Sequence, residues 1–119
     1  MRAKVRSMHS PDTDGDVRSY EPENRGNVGL LVQMIVGPEH EAGDESFDVM
    51  VCTRWLERHV RRHGPLIARH YVVTAEWNPV SILSFLTDAI ERQSAPTWPE
   101  LGEKLSRIGL WEFEEYVSN

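Results

Sequence analysis

The chain has 119 residues, a length typical of one domain, and its apolar fraction of 39% is modest for a globular protein. Its formal net charge of -6 argues against a nucleic-acid ligand, because an acidic surface repels phosphate backbones. The single cysteine, Cys52, excludes an internal disulfide, and no apolar run approaches the roughly 18 residues that a membrane-spanning helix needs. The N-terminal MRAKVRSMHS lacks the apolar stretch of a signal peptide, so we expect a soluble cytoplasmic protein.

The first half of the chain has the patterns of β-strands. AKVRSM (3–8) alternates apolar and polar residues, and VGLLVQMIVG (28–37) is apolar and rich in β-branched residues. The intervening segment 10–27 is rich in Pro, Gly, Asp and Asn, which indicates a long loop. SFDVMVCT (46–53) alternates again after the acidic connection PEHEAGDE (38–45). Two strands joined by a short loop predict an antiparallel hairpin.

The pattern changes to helical spacing after this hairpin. TRWLERHVRRHGP (53–65) predicts a helix with Thr53 as a possible N-cap and the Gly64-Pro65 pair at its end. The apolar positions Trp55, Leu56 and Val60 fall near one face of this helix. A further strand is predicted around residues 70–75.

Two capped helices are predicted in the last third of the chain. The first covers 78–94, where Asn78 precedes Pro79 at the first helical position. The second covers 97–109, where Thr97 is followed three residues later by glutamate, as in a capping box. Both segments carry an apolar stripe at helical spacing.

The order of strands followed by helices predicts an α+β fold. We expect a single domain, 1–119, with an antiparallel sheet of about four strands and two to three helices packed mainly on one face. Such a sheet leaves one face or an edge free for partners, which permits a homodimer without requiring one.

The loop after the first strand has spaced carboxylates. Asp12, Asp14, Asp16 and Glu23 match positions 1, 3, 5 and 12 of a calcium-binding EF-hand loop, but Gly15 lies at position 4 instead of 6. Carboxylates are also common in turns as backbone caps. The loop is therefore interpreted as structural, with a cation site as the alternative.

A basic segment interrupts the acidic chain. Residues 54–72 carry five arginines against one glutamate, and His59 and His63 have the i, i+4 spacing of two zinc ligands. No acidic or sulfur ligand is adjacent, and the surrounding arginines would repel a metal cation. A solvated basic face is the favoured interpretation, and its charges can pair with nearby carboxylates. Binding of an anion such as phosphate, including that of a nucleic acid, is the alternative.

No convincing catalytic set is present. Cys52 lies in a predicted strand, where a lone cysteine is usually a buried hydrophobe and not a nucleophile. No serine lies in a recognisable nucleophile elbow or Gly-rich loop. We expect no enzyme, no cofactor and no metal; the alternative is a small enzyme using His70 with a carboxylate such as Glu76.

Acidic residues cluster at two places. GPEHEAGDESFD surrounds the predicted hairpin, and WEFEEY lies near the C-terminus, where Trp111 is either core or interface. These carboxylates either solvate the surface or bind a cationic partner. The candidate partner-binding residues are Asp44, Glu45, Asp48, Trp111, Glu112, Glu114 and Glu115.

Four stretches resemble the Imm8 family of bacterial immunity proteins: HSPD (9–12), LVQMIVGPEHEAGDESFDVMVCT (31–53), RHYVV (69–73) and TWPELGEKLSRIGLWEFEEY (97–116). The resemblance spans nearly the whole chain, and ESFDVMVCT and KLSRIGLWEFEEY are its most specific parts. A proline often follows VCT in the family, whereas Arg54 stands there in this chain.

The resemblance implies a protein that binds and neutralises a cognate polymorphic toxin domain in the cytoplasm of the producing cell, commonly by occluding the toxin's active site. It implies no chemistry of the chain's own. An acidic surface would suit a toxin with a basic groove. The alternative is a stand-alone interaction or regulatory module that has no toxin partner.

Overall fold

The computed structural model describes residues 1–14 and 16–111. Five strands and three helices follow one another: β1 (Ala3–His9), β2 (Gly29–Pro38), β3 (Glu45–Cys52), α1 (Trp55–His63), β4 (Tyr71–Val73), α2 (Pro79–Glu91), α3 (Trp98–Leu105) and β5 (Leu110–Trp111). A short 3₁₀ helix, Val17–Ser19, lies between β1 and β2. This order confirms the predicted α+β class. Within the described ranges, no helix combines the length and the hydropathy that a bilayer span requires.

The β2–β3 hairpin is the centre of the sheet. It pairs antiparallel, as predicted, from Gly29 opposite Cys52 to Val36 opposite Glu45. On its β2 side, β1 pairs antiparallel with a bulge near Val5. On its β3 side, β5 pairs antiparallel with the start of β3, and β4 pairs in parallel with its end. The pair is parallel because the connection through α1 turns the chain back, so that β4 runs beside Met50–Cys52 in the same direction as β3.

One face of this sheet packs beneath α2 and α3. Alternate residues of β2 and β3 point to this side, as the alternation in SFDVMVCT predicted for β3. They meet the apolar stripes of the two helices and form one buried cluster. Its members include Leu30, Val32, Met34, Val36, Phe47, Val49, Val51, Ile82, Leu83, Leu86, Ile90, Leu101 and Leu105.

The two C-terminal helices begin as their sequences predicted. The Asn78 side chain accepts a hydrogen bond from the Ser81 amide at 3.3 Å, and Pro79 is the first residue of α2. The Thr97 hydroxyl accepts from the Glu100 amide at 3.4 Å at the start of α3. These bonds satisfy amide groups that have no partner within the helix.

Thr53 does not cap α1, so that prediction is wrong. Its hydroxyl is buried and accepts a hydrogen bond at 2.8 Å from the amide of Val28. Thr53 thereby ties the end of β3 to the start of β2. The N-cap of α1 is Arg54, whose side chain makes no capping hydrogen bond.

Trp111 belongs to the core and not to the surface. It is 8% exposed, and its ring stacks on Phe47 with centroids 5.8 Å apart and an interplanar angle of 14°. A Cβ atom at position 102 would lie only 2.5 Å from the indole, so Gly102 of α3 allows this close approach. The indole Nε1 donates a hydrogen bond to the Glu45 carboxylate. β5 is thereby fixed to both β3 and α3.

Candidate partner-binding surface

The sheet face opposite α2 and α3 carries a mixed apolar and polar surface. The pairing register aligns its side chains in rows across the strands, because directly paired residues point to the same side. We define this open face as Leu31, Gln33 and Ile35 of β2, Asp48 and Met50 of β3, Tyr71 of β4 and Leu110 of β5. All seven side chains are half-buried, whereas their neighbours on the other face form the core.

The apolar part of the open face was not predicted as a site. Leu31, Met50 and Tyr71 form one row across three adjacent strands, and Ile35 and Leu110 lie nearby. The sequence did contain a signal for it. β2 is apolar at both even- and odd-numbered positions, whereas a strand with one face in water needs apolar residues only at alternate positions.

Two of the predicted hairpin carboxylates are engaged within the protein. Asp44 Oδ1 lies 3.2 Å from Arg6 Nε, so its charge is paired with a residue of β1. Glu45 accepts the indole hydrogen bond of Trp111. Both residues therefore stabilise the end of the sheet where β5 attaches, and they offer a partner less unpaired charge than the sequence suggested.

Asp48 is the predicted carboxylate that the structure places on the open face. It accepts a hydrogen bond from the Ser46 hydroxyl at 3.0 Å, and Gln33 Nε2 lies 3.5 Å from its other oxygen. These contacts hold the carboxylate beside the apolar row without pairing it to a cation among the described residues. Glu112, Glu114 and Glu115 lie outside the described residues.

The acidic loop after β1 uses its carboxylates to bind backbone amides. Asp12 Oδ2 accepts from the Leu31 amide at 3.0 Å, just beyond the last residue pair of β1 and β2. Asp16 accepts from the Arg18 amide at 2.9 Å and caps the 3₁₀ helix. In the described ranges, no group of three or more His, Cys, Asp and Glu side chains is arranged to hold a metal ion.

The basic helix α1 follows the end of β3, at the end of the sheet opposite the acidic connection 38–45. Trp55 packs on Gly29, since a Cβ there would lie 2.6 Å from the indole. The rings of His59 and His63 continue this stack, with successive centroid distances of 4.8 and 4.6 Å. Arg61 pairs with Glu57 at 2.7 Å.

Within the described ranges, the other two arginines of α1 lack the carboxylate partners that the sequence could have given them. No ion pair in the described part of the chain involves Arg58 or Arg62. Both line a groove along α1, which is also lined by Asn27, Trp55, His59, Arg61 and His63.

His70 is held by the backbone. Its Nε2 lies 2.7 Å from the Ser106 carbonyl oxygen, which can only accept a hydrogen bond, so Nε2 carries a proton. Among the described residues, no hydrogen bond or ion pair joins His70 to Glu76. The geometry therefore gives no support to a catalytic pair of these two residues.

Cys52 is fully buried, as its strand setting predicted, and burial raises the pKa of its thiol. The thiol donates weakly to the Val72 carbonyl, with the sulfur 3.7 Å from the oxygen. A raised pKa lowers the thiolate fraction at any given pH, and the thiolate is the reactive form.

We therefore expect Cys52 in the folded protein to resist alkylation by iodoacetamide at neutral pH and to react rapidly in urea. The measurement is the labelling rate by mass spectrometry with and without denaturant. Rapid labelling of the folded protein, at a rate close to that in urea, would contradict the buried placement.

The comparison with protein families gives a match over nearly the whole chain. The family model described as Immunity protein 8 matches residues 3–116, nearly the whole chain. Neither curated proteins nor solved structures yield a match.

Proposed function

Because the chain belongs to the immunity protein 8 family, we propose that it binds a cognate polymorphic toxin domain and neutralises it by covering the toxin's active site. The family implies a protein toxin as partner and a role that needs no catalysis. In this proposal the chain acts through affinity alone.

The observation that carries the proposal, beside the family match, is the open face. It joins an apolar row, Leu31, Met50 and Tyr71, to polar groups at Gln33 and Asp48 on a sheet whose other side is a packed core. Protein interfaces combine apolar anchors at their centre with polar groups that fix orientation. A rigid sheet also loses little conformational entropy on binding.

The charge of the chain supports a cationic partner surface. The net charge of -6 would attract a basic toxin and accelerate their encounter. Asp48 is our first candidate for a direct contact, since it lies on the open face without a cation partner in the described ranges. Asp44 and Glu45 would contribute mainly to the electrostatic field that attracts the toxin. The C-terminal carboxylates Glu112, Glu114 and Glu115 remain proposed contacts, because they follow Leu110 and Trp111 closely in sequence.

Co-expression tests the proposal. The probe is the C-terminal toxin domain encoded in the reading frame next to this gene, produced from an inducible promoter in a sensitive bacterial host. We expect the chain to restore growth and to co-purify with the toxin domain in a 1:1 complex, as binding by occlusion requires. An inactive toxin variant serves as the control for expression burden.

Two outcomes would oppose the proposal. Failure to restore growth with both proteins present would remove the immunity role and favour a stand-alone interaction module. Restored growth without a stable complex would instead favour an enzyme that destroys the toxin's product or modifies its target.

A further inference from the structure

Two arginines of α1 are cations without a carboxylate partner in the described part of the chain. Arg58 and Arg62 are four residues apart and share a helix face, where like charges destabilise the helix. Arg61 lines the same groove, but it is paired with Glu57. On a chain of net charge -6, an unpaired arginine pair is a feature that solubility does not require.

Arg58 and Arg62 are exposed, on a helix that packs only lightly against the rest of the fold. α1 buries none of its own residues, so its contribution to the core is small. Trp55 anchors it to Gly29 at the start of β2. Leu56 and Val60 line a second groove, which lies between α1 and residues 73–76. The arginine side therefore remains accessible.

The groove beside Arg58 and Arg62 fits carboxylates better than nucleobases. The Trp55 indole already lies close to Gly29 and stacks on the His59 ring, which leaves less of its surface for a base to stack on. Guanidinium groups pair with carboxylates through two parallel hydrogen bonds.

We propose that this groove binds an acidic segment of the toxin, with carboxylates pairing to Arg58 and Arg62; the inference rests on the immunity role proposed above. The groove lies at the end of β3, whereas the acidic hairpin lies at its start, about 25 Å away along eight residues. The matching toxin surface would be basic at one end and acidic at the other. Such a surface fixes the orientation of the complex and rejects toxins with a uniform charge.

The test compares two double charge reversals with equal net charge. Arg58→Glu with Arg62→Glu alters the groove, and Arg18→Glu with Arg107→Glu alters exposed arginines elsewhere. We expect the groove variant to raise the Kd for the toxin domain about 100-fold, because the reversed charges repel the carboxylates, and the control to change it less than about threefold. Calorimetric titration gives both values. If the two charge reversals unfold α1, the milder pair Arg58→Gln with Arg62→Gln removes the same two positive charges without adding negative ones.

The outcomes separate the two proposals. A wild-type chain that fails to bind the toxin domain removes the immunity function itself. Wild-type binding with equal affinity for both double variants removes only the groove inference.

A titration without toxin probes the ligand class directly. We expect hexaglutamate to shift the NMR signals of the Arg58 and Arg62 Nε–H groups and of the Trp55 indole in the wild-type chain, and to leave the Trp55 indole signal unchanged in the glutamine pair. A single-stranded DNA oligonucleotide should produce weaker shifts. Stronger shifts with DNA, or none with hexaglutamate, would overturn the assignment to an acidic protein segment.

Discussion

Alanine in place of Trp111 is expected to lower the free energy of unfolding by about 3–5 kcal/mol, the usual cost of removing a large buried aromatic side chain. The indole fills the space above Gly102, stacks on Phe47 and donates a hydrogen bond to Glu45. Its loss leaves a cavity between β5 and α3 and a half-buried carboxylate without that donor. Urea denaturation followed by circular dichroism measures the change.

Two variants sharpen this result. Ile67→Ala is the control for loss of apolar surface, because Ile67 is 89% exposed and should change stability by no more than about 0.5 kcal/mol. Gly102→Ala tests the same packing from α3: alanine favours a helix by about 1 kcal/mol, yet its Cβ would collide with the indole. We expect a net destabilisation. Equal stability of Trp111→Ala and Ile67→Ala would place the indole outside the core.

Local sequence patterns predicted most of the secondary structure because its determinants are close in sequence. Alternation located β1 and β3, and an apolar run rich in β-branched residues located β2. The caps at Asn78 and Thr97 marked the starts of α2 and α3. Thr53 was assigned wrongly because its hydroxyl binds Val28, 25 residues away, and a local pattern contains no information on that partner. The parallel pairing of β4 likewise depends on how the α1 connection packs.

The candidate site was less accessible to sequence reasoning, because a carboxylate is available to a partner only if nothing within the fold binds it. Asp44 is paired with Arg6, 38 residues away, and Glu45 with Trp111, 66 residues away. The sequence showed the basic segment 54–72 as a block of positive charge. It could not show that Arg58 and Arg62 have no carboxylate partner in the described ranges. Composition thus located the charges, and the tertiary contacts determined which of them remain free.

Arginine in place of Met50 is expected to weaken binding of the toxin domain by about 100-fold or more. Met50 lies in the centre of the open face, between Leu31 and Tyr71 in the register and two residues from Asp48. A central apolar anchor contributes disproportionately to affinity, and a new cation there would also repel the basic surface that the proposal assigns to the toxin. The aliphatic part of arginine still covers the neighbouring apolar side chains, so stability should change by no more than about 1 kcal/mol.

Val80→Arg provides the matched control for this substitution. Val80 is 82% exposed on α2, which packs on the opposite side of the sheet, so the same charge is added away from the open face. We expect this variant to bind the toxin domain with wild-type affinity or slightly weaker, reflecting only the change in net charge. If Met50→Arg and Val80→Arg bind equally well in the same titration, the open face is not the toxin interface, even where co-expression still restores growth. The interface would then have to lie elsewhere on the chain, and the groove along α1 would be the next surface to test.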